Sequence, residues 1–384
     1  MKVAIFTDTF LPQINGVAKT LGKFAEYMDA NSIDYRIFAP VVNHEESTEK
    51  VKRLISVKFV LYPQIKLSLP NYFYIAKELD AFKPDIIHAG TPFNLGLCGL
   101  KYAKSARLPV VTAYDTNFPD YLRYYKLNFL KSTSWKYFKW FHSKCDINYC
   151  PSMATLNLLK EKGFKNLDLW GRGIESDNFS PSFRDVELRK SLNVDDKIVF
   201  LYVGRISKEK NLDIFMNVAR KLNKKYSDKI HFTLVGDGPM MKDLKEEALP
   251  NMDFTGFLSG IPLSKRYASS DVFMFTSSTE TLGFVILEAM ASALPVISCS
   301  EGGVAENLVD GFNGIACETR NEEDYYAACE RLILDKDYRI ELGKNGREHV
   351  LKKDWNNTFD TLISSYKELL DKWPEIVSEE TSIS

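Results

Sequence analysis

Short apolar runs recur along the chain, each followed by a polar loop and then by a stretch with helical spacing. Val3 to Phe6 opens the series, and residues 17–29 carry apolar positions three and four apart. Further runs follow at Tyr35 to Ala39, Ile86 to Ala89, Val110 to Tyr114 and Ile147 to Cys150. The alternation restarts with Ile198 to Val203, then Phe232 to Val235, Val272 to Phe275 and Val296 to Ser298. Runs apolar at consecutive positions are buried on both faces, and strands alternating with helices imply parallel βαβ units. The pattern predicts an α/β protein built of two doubly wound parallel sheets. Between the two series, Trp170-Gly171-Arg172-Gly173-Ile174-Glu175-Ser176-Asp177-Asn178-Phe179-Ser180-Pro181 has the glycines and terminal proline of a linker. The domains are therefore drawn at 1–182 and 183–355, with a last helix over about 356–376. Residues 377–384 are polar and expected to be disordered.

Composition narrows the functional classes. With 50 basic against 51 acidic residues the net charge is −1, so general nucleic-acid binding has no support. The six cysteines form no C-x-x-C pair, and several lie in apolar runs, which suits buried thiols in a reducing compartment. The start, Met1-Lys2-Val3-Ala4-Ile5-Phe6-Thr7-Asp8, turns polar after four apolar residues, too few for a secretory leader. No apolar run approaches the roughly 20 residues of a membrane span. A cytoplasmic protein, at most peripheral to the inner membrane face, is expected.

The chemistry concentrates in the loops that follow strands, which in a doubly wound sheet open onto the ligand crevice. After Val272 to Phe275 the chain reads Ser277-Ser278-Thr279-Glu280-Thr281-Leu282-Gly283-Phe284, then a helix containing Glu288. Backbone N–H groups of Thr281, Leu282, Gly283 and Phe284 at a helix start favour an anion, and Gly283 permits close approach. Two acids beside a phosphate repel it unless they accept hydrogen bonds from neutral hydroxyls, and a nucleotide sugar meets that condition. After Ile198 to Val203 comes Gly204-Arg205-Ile206-Ser207-Lys208-Glu209-Lys210, which offers one bidentate and one point-charge cation for a diphosphate. Gly236-Asp237-Gly238-Pro239-Met240-Met241 begins like a dinucleotide loop but ends in methionine, and the first crossover, Thr7 to Val17 with Gly16, lacks G-x-G-x-x-G. NAD is therefore disfavoured. Asp335-Lys336-Asp337 spells D-x-D but sits between helices and reads as a turn.

Glu280 and Glu288, seven residues apart, resemble the E-x7-E motif of retaining glycosyltransferases of family 4, which have the two-domain GT-B fold. Gly204-Arg205 through Lys210 is similar to that family's G-R-x-x-x-x-K signature, and Glu301-Gly302-Gly303 to its glycine-pair loop. The linker resembles that of the lipid mannosyl- and sulfoquinovosyltransferase branch. The resemblance implies two Rossmann-like domains facing a cleft, with the donor mainly on the second and the acceptor mainly on the first. It implies that Arg205 and Lys210 hold the diphosphate, Glu280 the transferred hexose and Glu288 the ribose. Gly16 would lie against donor phosphates and sugar, Gly204 and Gly236 would border the nucleotide, and Gly256 and Phe257 the base. Many relatives carry a histidine where Asp115 stands here, so Asp115 is expected to accept a sugar or acceptor hydroxyl instead. His88 lies within a strand and reads as a core or strand-end residue.

The implied reaction moves a hexose from a nucleotide-diphosphate sugar to a lipid or glycan hydroxyl, by front-face substitution and without a metal or other cofactor. GDP-mannose is favoured by the resembled branch; UDP-glucose and UDP-galactose stay open. Residues 121–144 mix lysine and arginine with tryptophan, tyrosine and phenylalanine. That mixture suits an anionic membrane surface, or equally aromatics packed inward with lysines reaching outward. A GT-B nucleotide-sugar epimerase and a non-enzymatic two-lobed sugar-binding protein are the alternatives.

Overall fold

The computed structural model describes the chain apart from residues 14, 43–44, 59–65, 122–127, 279, 281–282 and 384. The chain divides into two compact units, Met1–Arg172 with Trp355–Ser384, and Gly173–Asp354. The division falls at Arg172, ten residues before the boundary drawn at 182 from the sequence. Ile174 N–H donates to Lys353 C=O at 3.0 Å, which binds the start of the linker to the far end of the second unit.

The first unit holds a seven-stranded parallel sheet in the order Val51–Leu54, Asp34–Pro40, Lys2–Phe6, Ile86–Ala89, Val110–Ala113, Ile147–Cys150, Leu167–Leu169. Its central strands Ile86–Ala89 and Val110–Ala113 are buried at every position and apolar except at His88 and Thr112, as a sheet covered on both faces allows. Helix Gly16–Ala30 is capped by the Asn15 side chain, which accepts from Ala18 N–H. Its buried face meets the C-terminal helix Trp355–Ile383: Phe24 lies 5.2 Å from Phe359, and Tyr27 donates its hydroxyl to Asp360. That helix continues through Pro374 to Ile383, so the backbone is helical where the sequence suggested a free tail from 377. An interior proline removes one N–H donor without forbidding the turns that follow it.

The second unit has a six-stranded parallel sheet in the order Met252–Gly256, Ile230–Val235, Ile198–Val203, Val272–Phe275, Val296–Cys299, Gly314–Cys317. From Ile198–Val203 the chain builds outward to one edge; it then returns to pair Val272–Phe275 on the other side and builds to the opposite edge. The strand order therefore reverses between these two neighbours, and loops leaving their carboxyl ends diverge and leave a crevice. Those are the loops that carry Arg205, Lys210 and Glu280.

Candidate active site

Lys210 and Glu280 are 70 residues apart in sequence and form an ion pair across the reversal point. The Lys210 ammonium is largely buried, which by itself pushes its pKa down. The Glu280 carboxylate, with Tyr202 and Glu209 nearby, outweighs burial and holds it above the ordinary lysine value. Glu280 is fixed through one oxygen: Oε1 takes both Lys210 Nζ and the Ser277 hydroxyl, the latter at 2.9 Å. Among the described residues no hydrogen bond to Oε2 is found. Lys210 in turn has three N–H donors, so pairing with Glu280 does not exhaust it.

The backbone of Glu280 is held as tightly. Its carbonyl accepts from Gly303 N–H at 2.8 Å. Gly302 has φ +57°, and a Cβ there would lie 2.6 Å from the same carbonyl oxygen. The glycine pair is thus a close-fitting clamp on the loop rather than a ligand contact in its own right. Gly283, at φ +78°, turns the chain into helix Phe284–Ala291. Thr281 and Leu282 lie outside the described residues, so the anion cradle expected there rests on Gly283 and Phe284 alone.

Arg205 pairs with the buried Glu209 at 3.5 Å, and Glu209 accepts from the Ser207 hydroxyl at 2.6 Å. Tyr202 donates its hydroxyl to the Arg205 carbonyl at 2.9 Å. Burial first, then the Glu280 and Glu209 charges, raise the Tyr202 pKa against the opposing Lys210. Glu288, also buried, accepts from the Tyr267 hydroxyl at 3.0 Å, and Tyr267 in turn senses Tyr202. The contacts thus pair Lys210 with Glu280, Arg205 with Glu209 and Glu288 with Tyr267.

Three adjacent strands end in glycine at this edge. Gly204 N–H donates to Val235 C=O, and Gly236 N–H to Gly256 C=O at 2.9 Å. Gly236 has φ +139°, and a Cβ there would sit 1.8 Å from the Gly204 carbonyl oxygen. Gly236→Ala is accordingly expected to cost at least about 2 kcal/mol from φ strain and backbone overlap. In a unit of this size that is a melting temperature lower by roughly 4–8 °C, read by calorimetry. Beyond Gly256, Phe257 is half exposed, as a ring offered to a base would be.

Ser277, Tyr267 and Glu209 were not foreseen from the sequence as parts of the site, and the glycine pair Gly302–Gly303, read there as a family motif, was not foreseen as a clamp on Glu280. Ser277 had a weak signal, a hydroxyl three residues before the glutamate of a strand-end loop; Tyr267, in the helix Gly260–Ala268, had none.

The remaining expected residues belong to the first unit. Gly16 is the first residue of its helix. Asp115 pairs with Arg172, a fully buried guanidinium lying 3.9 Å over the Trp170 ring and donating to the Gly171 carbonyl at 3.0 Å. His88 is buried, with Nδ1 against the Tyr366 hydroxyl at 2.5 Å, and burial lowers its pKa to about 3, so it stays neutral in the core. Residues 122–127 of the basic and aromatic segment lie outside the described residues; in the described part both packing modes occur. Phe138, Phe141 and His142 of helix Lys131–His142 point inward, while Trp140 and Phe129 are exposed beside Lys136 and Lys139. Asp335 caps helix Lys336–Val350 by accepting from Tyr338 N–H, a helix junction rather than a metal loop. Among the described residues no helix is long and apolar enough to cross a membrane.

Comparison with known proteins agrees with this geometry. Residues 183–349 match the family described as Glycosyl transferases group 1, and residues 14–178 match Glycosyltransferase Family 4. A GDP-mannose-dependent alpha-mannosyltransferase of Corynebacterium glutamicum is 30% identical over 378 residues, covering 96% of this chain and 89% of that protein. The chain belongs to the family 4 glycosyltransferases. Another similar member, the alpha-monoglucosyldiacylglycerol synthase of Streptococcus pneumoniae, is 31% identical over 78% of this chain and 71% of its own length. Among solved structures, sucrose-phosphate synthase from Thermosynechococcus elongatus superposes with a TM-score of 0.79 at 18% identity, covering 96% of this chain and 99% of its own. That likeness establishes the GT-B fold for this family 4 glycosyltransferase.

Proposed function

We propose that this glycosyltransferase binds a nucleoside-diphosphate hexose on its second unit and moves the hexose, with retention, to a hydroxyl of a lipid acceptor. The observation that carries the reading is the Lys210–Glu280–Ser277 constellation at the reversal of strand order, with Arg205 on the loop that also carries Lys210 and Glu288 on the helix that follows Glu280. Arg205 and the remaining Lys210 donors meet the diphosphate, Glu280 Oε2 accepts from a hexose hydroxyl, and Glu288 accepts from the ribose. As the bond between the sugar carbon and the phosphate oxygen breaks, negative charge grows on the leaving diphosphate where the two cations are fixed. The acceptor oxygen bonds to the sugar carbon on the face the phosphate leaves, and its proton passes to the departing phosphate oxygen. GDP-mannose is the favoured donor because a relative aligned over nearly the whole chain bears that specificity in its name. A diacylglycerol-type acceptor is favoured by the second relative and by Trp140 and Phe129, exposed among lysines in the manner of residues that enter a headgroup layer.

The test is a donor screen reading released GDP or UDP, with and without anionic vesicles containing diacylglycerol. Release of GDP from GDP-mannose, raised by the vesicles and unchanged by EDTA, is expected, since two fixed cations meet the charge a divalent ion would otherwise bear. Strict dependence on Mg²⁺ or Mn²⁺ would contradict the charge assignment. Interconversion of sugars without an acceptor would identify an epimerase, and binding with no nucleotide release a sugar-binding protein.

A further inference from the structure

Next to Lys210, Asn211 is almost fully buried and has φ +50°, a left-handed conformation that asparagine tolerates better than other side-chain-bearing residues. It forms the joint between the 3-10 turn Lys208–Lys210 and helix Leu212–Tyr226. Both ends of its amide are used. Nδ2 donates to the Thr276 carbonyl at 3.1 Å and lies 3.4 Å from the Ser278 hydroxyl. Oδ1 accepts from Arg320 Nη1 at 2.9 Å. In the opposite direction, the Thr276 hydroxyl donates to the Lys210 carbonyl at 2.9 Å. The two loops that meet at the strand reversal are thus stitched by reciprocal bonds on either side of Lys210. Arg320 reaches this point from the loop after strand Gly314–Cys317, steadied by Asp213 at 2.6 Å.

A helix start needs no such arrangement. A glycine would make the left-handed turn without strain, and a plain N-cap would bond its own helix. The Asn211 side chain makes no N-cap bond and is spent wholly on the neighbouring loop and on Arg320. We infer that Asn211, backed by Arg320, is a positioning residue that fixes where the Lys210 ammonium points, and so sets the grip on the donor diphosphate. This rests on the proposed role of Lys210.

Asn211→Gly isolates the side chain, because glycine keeps the backbone turn. Isothermal titration with GDP and UDP is expected to show affinity about tenfold weaker than wild type, the loss of one well-placed buried contact. The decisive readout is the double variant with Lys210→Ala. If Asn211 acts through Lys210, the pair loses no more than Lys210→Ala alone. Losses that multiply, or an Asn211→Gly affinity within about twofold of wild type, would overturn the inference. Should the glycine variant fail to fold, Arg320→Ala at its half-exposed site reports instead: weaker diphosphate binding supports the inference and unchanged binding overturns it. Lys210→Ala separates the two levels. If it leaves diphosphate affinity intact, the donor-site reading falls and this inference with it; if it weakens binding while Asn211→Gly does not, only the inference falls.

Discussion

Glu280→Ala is expected to lower turnover by about a thousandfold while leaving affinity for GDP or UDP within about threefold of wild type. The reason is the division of labour at the two oxygens of this carboxylate. Oε1 is occupied by Lys210 and Ser277, so it serves the architecture; on the proposed reading, Oε2 accepts from a hydroxyl of the hexose as its anomeric carbon becomes electron-poor. A nucleoside diphosphate has no hexose, so its binding does not sample that contact. Removing the carboxylate also leaves Lys210 without its partner, and a buried ammonium then leans on the diphosphate more strongly rather than less. The ratio of effects is therefore the signature: a large loss in kcat, and a diphosphate affinity that is unchanged or tighter. Equal losses in both would contradict the assigned role. Glu280→Gln is the control for folding, since it keeps the volume and one acceptor while removing the charge, and its melting temperature shows how much of any deficit is structural.

The loops that carry these residues were legible in the sequence because they follow strongly apolar strands. Val272–Phe275 and Ile198–Val203 are buried along nearly their whole length, so their ends, and the loops after them, are fixed within a residue or two. The edge strands were not legible in the same way. Val51–Leu54 reads Val-Lys-Arg-Leu and Leu167–Leu169 reads Leu-Asp-Leu, each only partly buried and too short to show a period. The unit boundary was missed by ten residues because a backbone bond joins Ile174 to Lys353, a contact across 179 positions that no local pattern announces. Partners such as Tyr267 for Glu288, or Arg320 for Asn211, are invisible for the same reason: a hydroxyl on a helix face carries no mark of what it will touch after folding.

Asp115 shows the reverse situation, a residue selected by its position after a strand whose surroundings then give it a second task. Its carboxylate meets a guanidinium that is wholly enclosed by the first unit. Burial lowers the Arg172 pKa, and Asp115 is the leading influence opposing that shift, so this acid is the main partner of the buried cation. Asp115→Ala, which strands that cation, is expected to destabilise the protein by about 3–5 kcal/mol, the usual cost of breaking one side of a buried pair. At roughly 2–4 °C per kcal/mol the melting temperature falls by about 6–20 °C. Asp115→Asn keeps an acceptor for Arg172 and is expected to recover part of that loss. The paired replacement Asp115→Leu with Arg172→Met removes both charges, and its stability is expected to lie closer to wild type than Asp115→Ala, because neither charge is left alone. The same three variants separate scaffold from chemistry. If Asp115 also accepts an acceptor hydroxyl, the stable double variant stays slow, with a raised KM for acceptor and unchanged affinity for the donor diphosphate. If its whole task is to hold Arg172, turnover returns with stability. A double variant less stable than Asp115→Ala would show that the ion pair itself, rather than relief of an isolated charge, holds this end of the first unit together.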